Sequence, residues 1–301
     1  MRFTTFLHED EQRVGLIFNE DLVIDLVEAQ KERGESESIP GTLIECIDEG
    51  ERFLELVLEL EAWVKATQST VSVFPLNEVK LLAPIPRPRK NIFCVGKNYA
   101  AHAIEMGSAA DIPEYPMLFS KAPTTVIGPN DEIEPHNHLT SELDYEGEIA
   151  IVIGKKGKRI AKEVAMDYVF GYMLLNDVTA RDLQRRHKQF LLGKSIDTFC
   201  PTGPWLTHKS LISDPSDLTL TTKVNGELRQ TGYTKHFIFD IPTIIETISA
   251  GTTLEPGDII ATGTPAGVGN GFNPPKFLKQ GDVIEIEVKE LGMLVNRVAT
   301  E

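Results

Sequence analysis

The stretch "LDYEGEIAIVIG", Leu143 to Gly154, decides how this chain is read. Ile149 to Ile153 is an apolar, largely β-branched run suited to the interior of a sheet. Ahead of it Asp144, Glu146 and Glu148 stand at every second position. Alternate residues of a strand point to one face, so these carboxylates are expected to share a side. Alternating acids on a wet edge strand would produce the same letters. Here "IAIVIG" is apolar on both faces, which predicts instead a covered strand whose end carries the acids.

A second run, "VFGYMLLND", closes on Asp177 and leads into the helix-like "TARDLQRRH". Thr179 and Asp182 suit a capping box, which leaves Asp177 without a capping role. Like charges meeting at a sheet end raise one another's pKa unless a cation lies between them. Hard oxygen ligands from Glu146, Glu148 and Asp177, with no Cys or His nearby, select Mg2+ or Mn2+ over zinc. Such a set leaves open positions on an octahedral ion, the mark of a catalytic site.

Further runs read as strands: "NIFCVG", "LTLTTKVNG", "GDIIATG" and "GDVIEIEV". In "DIPTIIETISAG", Asp240 is a helix N-cap, Pro242 lies in the first turn and Gly251 is the stop. "ERFLELVLELEAWVKAT" repeats Phe53, Leu56, Val57, Leu60, Trp63 and Val64 at helical spacing. "RVGLIFNEDLVIDL" reads as a short strand pair. Prolines at 84, 86 and 88 mark an extended connector, so a small acidic α+β domain is expected over 1–80 and a larger one over 81–301. Strands and helices do not alternate regularly, which argues against a doubly wound parallel sheet and for an α+β fold that is mostly β.

The net charge is −15, and residues 1–80 hold 7 Lys/Arg against 18 Asp/Glu, a balance of −11. So acidic a surface disfavours nucleic acid and anionic membranes as partners. Cys46, Cys94 and Cys200 are far apart, with no CxxC pair, which suits a reducing cytoplasm. No run of eighteen apolar residues is present, and the first residues lack the apolar core of a signal peptide. "GKS" at 193–195 lacks the upstream glycine of a phosphate loop, and "GTPAGVG" lacks dinucleotide spacing. His136 and His138 read as solvated loop residues.

From about residue 80 onward the motifs "NIFCVGKNYAAHAIEMG", "LDYEGEIAIVIGK", "GYMLLNDVTARDLQ", "GKSIDTFCPTGPW", "VNGELRQ" and "GDIIATGTPAGVG" together resemble the fumarylacetoacetate hydrolase family. The resemblance implies a β-roll that pairs into a homodimer and binds Mg2+ or Mn2+ through Glu146, Glu148 and Asp177. It implies a 2-oxo acid substrate, with Lys194 as a cationic contact and His102 and Glu105, three apart, as a water-activating pair. Gln184 and Thr264 match substrate-binding positions, and Arg181 is expected beside the triad for charge balance or substrate contact. "EMGSAADIPEYP" is a candidate lid. The leading expectation is oxaloacetate decarboxylation through an enolate. Acylpyruvate hydrolysis and 2-oxo acid tautomerisation or isomerisation are the alternatives within the fold, and a non-catalytic metal-binding partner protein is the alternative outside it.

Overall fold

A computed structural model describes residues 1–34 and 39–300. The strand Gly147–Ile153 lies inside a large sheet, hydrogen-bonded to Val169–Asn176 on one side and Ile259–Ala261 on the other. Its seven residues are all buried. Ile149, Ile151 and Ile153 enter one apolar cluster with Leu174, Ile244 and Ile286, while Ala150 and Val152 enter another with Phe3, Phe53 and Val57. Period-two alternation therefore feeds two cores from one strand, as the two-faced apolar run predicted.

The sheet continues outward from this pair. In spatial order its main path runs Val73–Pro75, Leu22–Asp25, Glu11–Phe18, Arg2–His8, Cys200–His208, Val169–Asn176, Gly147–Ile153, Ile259–Ala261, Ile92–Gly96 and Met117–Lys121. Hydrogen bonding thus crosses the proline connector, with Arg2 opposite Thr207 and Phe3 opposite Leu206. The helix Glu51–Thr67 covers this side, burying Phe53, Val57, Leu60 and Val64. A five-stranded sheet, ordered Glu227–Tyr233, Thr219–Val224, Val283–Val288, Gly292–Val298 and Glu132–Ile133, contributes Ile284, Ile286 and Leu294 to the other core.

Four local expectations are corrected. The strand breaks after Asp144: Leu143–Asp144 pairs with Thr179–Ala180, and the Glu146 N–H is donated to Asn176 Oδ1 instead of to a ladder carbonyl. Asp144 therefore leaves the row of Glu146 and Glu148. Thr179 is a strand residue whose hydroxyl bonds the Asp177 carbonyl, and the helix Arg181–His187 begins at Ala180 without a side-chain cap. Asp182 accepts from Thr140 at 2.6 Å, so the capping box is not formed. The helix Ile241–Ser249 has Asp240 as its N-cap, but it ends on Ala250 in right-handed conformation, not on a left-handed glycine. His136 is packed, not solvated: its ring meets Phe199 edge-on and its Nε2 lies 3.2 Å from the Asp197 carbonyl.

Candidate active site

The break after Asp144 and the end of Val169–Asn176 place Glu146, Glu148 and Asp177 together at one end of the sheet. One carboxylate oxygen from each lies within 4.8 Å of the others, and all three side chains are buried. Local charge would make this cluster untenable without compensation. Lys194 supplies part of it, donating to Glu146 Oε2 at 2.7 Å and to Asp177 Oδ2 at 2.8 Å. Lys121 donates to the other Asp177 oxygen at 2.6 Å and to the Val178 carbonyl. Arg181 spans Glu146 at 2.7 Å and Asp144 at 2.8 Å. Asp144 also accepts the Gly269 and Asn270 N–H groups, so it anchors a loop and is not a fourth member of the cluster.

Four buried carboxylates thus face three buried cations, and Glu148 is the one left over: among the described residues its only hydrogen bond comes from the Gly263 N–H, at 2.7 Å. Burial, together with the negative charges of Asp177 and Glu146, pushes the Glu148 carboxyl well above the usual range. Glu146 goes the other way: burial opposes its charge, but Lys194 and Arg181 outweigh that and hold it below the usual range. Burial also opposes the Lys194 charge, and Asp177 and Glu146 reverse the effect and raise its pKa. A buried carboxylate with no cation bonded to it among the described residues, beside two more within reach and no sulfur or nitrogen ligand in the cluster, fits a hard divalent ion.

Beside this cluster is a cavity of about 380 Å³. Glu146, Glu148, Lys194, Arg181, Gln184, His102 and Thr264 all reach its wall. His102 and Glu105 share one face of the short helix Ala100–Glu105, with His102 Nδ1 3.3 Å from Glu105 Oε2. Glu105 is held in turn by the Gly267 N–H, at 2.9 and 3.1 Å to its two oxygens. Among the described residues the other His102 nitrogen, Nε2, has no protein partner. Gln184 accepts from Arg181 at 3.2 Å. The Thr264 hydroxyl is already donated to the Gly147 carbonyl and accepts from Gln230 Nε2, so its proton is not available to a substrate. Met106 of the candidate lid segment lines the cavity, and Ser108 caps an exposed turn over Ala109–Asp111.

Three residues of this network were not singled out from the sequence. Lys121 sits in "MLFSKAP", where a lysine near a strand end ordinarily means a solvated side chain. Gln230 holds Thr264 and the Gly147 N–H from a neighbouring sheet. Lys188 reaches the cavity from the residue after the helix Arg181–His187. No spacing rule links any of them to the acids.

Residues 91–299 match the model of the fumarylacetoacetate hydrolase C-terminal family. The chain is 56% identical over 300 residues to the oxaloacetate tautomerase YisK of Bacillus subtilis, covering 99% of this chain and all of that protein. It is 43% identical over 265 residues to the mitochondrial oxaloacetate tautomerase FAHD2B of Bos taurus, covering 87% of this chain and 81% of the relative. Among solved structures, a fumarylacetoacetate hydrolase from Exiguobacterium antarcticum superimposes over both whole chains with a TM-score of 0.82 at 41% identity. With sequence, fold and whole-chain coverage in agreement, this chain belongs to the fumarylacetoacetate hydrolase family.

Proposed function

We propose that this protein interconverts the keto and enol forms of oxaloacetate. Two relatives that match along most of the chain carry that activity in their names. The observation that carries the reading is the His102–Glu105 pair, held by the Gly267 N–H, with His102 on the wall of a cavity that Lys194 also lines. Keto–enol exchange needs a proton moved between C3 and the C2 oxygen, and it breaks no bond between carbons.

Glu146, Glu148 and Asp177 would hold Mg2+ or Mn2+. When bound, the ion supplies Lewis acidity toward the oxygens of a 2-oxo acid. The protein's own groups do the rest. Glu105 accepts at Nδ1 of His102, which sets the tautomer that leaves Nε2 free to take the C3 proton. The electron pair of that C–H bond becomes the C2–C3 double bond, and charge accumulates on the C2 oxygen. Lys194, already positively charged in this setting, stabilises that oxygen until it takes up the proton that His102 removed from C3, which returns the imidazole to its neutral form. Apolar walls from Val95, Met117 and Phe119 exclude water that would compete.

Cleavage between C3 and C4 is the second reading, as decarboxylation of oxaloacetate or hydrolysis of an acylpyruvate. It is favoured by the hydrolase name of the Exiguobacterium structure and by the enolate common to all these reactions. Three free, buried cysteines support a reducing cytoplasm, and exposed Leu191 and Leu192 support a homodimer. The test is to add the protein, with and without Mn2+, to freshly dissolved enol oxaloacetate. Enol absorbance and pyruvate are followed together against the spontaneous rates. Enol loss without matching pyruvate is expected; pyruvate formed in step would favour cleavage, and no effect on either would refute tautomerisation and decarboxylation of oxaloacetate alike.

A further inference from the structure

Besides His102, five lysine and arginine side chains line the cavity: Lys97, Arg181, Arg185, Lys188 and Lys194. Four of them are neutralised within the protein. Lys97 pairs with Asp111, Arg185 with Glu142, Arg181 with Asp144 and Glu146, and Lys194 with Glu146 and Asp177. Lys188 has no carboxylate and no hydrogen-bond partner among the described residues. It is also exposed, whereas Glu146 and Glu148 are buried, so the unmatched cation stands at the solvent end and the acids at the floor.

The backbone at Lys188 is unusual as well. It ends the helix Arg181–His187 with φ 58° and ψ −30°, a region that favours glycine and that few lysines occupy. The chain turns there and returns through Phe190, which lines the same cavity, to Lys194. Met106, Met117, Phe119 and Phe190 leave much of the remaining wall apolar. An anionic group at the outer end of a bound molecule would therefore find one cation that no other described residue neutralises.

We infer that Lys188 selects substrates carrying a second carboxylate, so that the site takes 2-oxo dicarboxylic acids over their monocarboxylic counterparts. The inference rests on the oxo-acid reading above, which places the first carboxylate and the keto group at the buried end. A monocarboxylate leaves Lys188 unmatched; a dicarboxylate neutralises it. Because the ammonium is solvent-exposed, its contribution is screened by salt and acts on binding more than on the chemical step.

The experiment compares oxaloacetate with its C4 monomethyl ester, which keeps the skeleton and removes the outer charge. In the Lys188→Gln variant, KM for oxaloacetate is expected to rise on the order of twofold to fivefold with kcat little changed. The effect on the ester should be several-fold smaller, Lys188→Arg should restore most of the loss, and added salt should shrink the difference. Equal losses on both substrates, or none on either, would overturn the assignment. Calorimetric titration with 3,3-difluorooxaloacetate, which cannot enolise, separates this inference from the proposed reaction. Weaker binding of that compound by Lys188→Gln supports the carboxylate subsite even if the native protein fails to tautomerise oxaloacetate. Unchanged binding, with tautomerisation intact, removes the subsite and leaves the reaction standing.

Discussion

Lys121 donates to Asp177 at 2.6 Å with both side chains fully buried, and that ammonium sets one side of the candidate metal cluster. A buried pair is costly to break from one side only, because the survivor is left charged and dry. Lys121→Met is therefore expected to cost about 3–5 kcal/mol of stability. Urea unfolding measures this directly. The double variant Lys121→Met/Asp177→Asn should recover much of that stability without recovering turnover. A single variant as stable as the parent would show that the pair carries no such cost.

Glu148 is the opposite case, a buried carboxylate to which no cation is hydrogen-bonded among the described residues. Glu148→Gln keeps an oxygen for the Gly263 N–H and removes an uncompensated charge. The fold should be as stable as before or more so, while Mn2+ affinity and turnover fall sharply. Thermal melting and Mn2+ titration together check both halves, and undiminished Mn2+ binding would remove Glu148 from the ligand set.

His102→Ala separates the two reactions the site supports. Loss of a positioned proton carrier should slow keto–enol exchange by roughly 10²-fold or more. Decarboxylation needs no proton taken from C3, so it should suffer less. Equal losses measured on the two reactions would argue against the role given to His102.

Gly271 packs against Glu105 so closely that an added Cβ would lie 2.2 Å from its carboxyl carbon. Gly271→Ala should push Glu105 off the Gly267 N–H and away from His102. Misplacement of about 1 Å in a catalytic group costs up to about 10²-fold. A fall in kcat of about tenfold or more is expected with little change in melting temperature, and a parallel collapse of both would point to a packing defect instead.

His208 supplies a pH dependence that does not involve the site. Burial, then the amino terminus and Lys209, lower its pKa from 6.5 to about 4. The unfolded chain therefore binds the proton more readily, and stability present above about pH 6.5 is lost as pH falls toward 4. Urea midpoints at pH 7 and pH 5 should fall further for the native protein than for His208→Gln. An identical drop in both would exclude His208 as the source.

Much of the fold is legible in the letters because its signals are local. "NIFCVG", "EIAIVIG" and "GDVIEIEV" became the strands Ile92–Gly96, Gly147–Ile153 and Val283–Val288, each recognisable from apolar alternation or an unbroken β-branched run. Glu146, Glu148 and Asp177 could be singled out because acids are conspicuous at the ends of such runs. Their neutralisers were not. Lys121 and Asp177 are 56 residues apart, and a lysine in a strand looks the same in sequence whether it is solvated or paired inside.

By itself, then, the order of residues determined which segments extend, which helix faces are apolar and where unshielded acids terminate strands, since each depends on neighbours within a few positions. Tertiary structure alone decided that Asp144 turns away to hold Arg181 and the Gly269–Asn270 loop, that Arg2–His8 joins the central sheet, and that Lys188 stands at the cavity with no counter-charge among the described residues. Coulombic pairing depends on distance through space, and folding brings together charges that the chain keeps far apart.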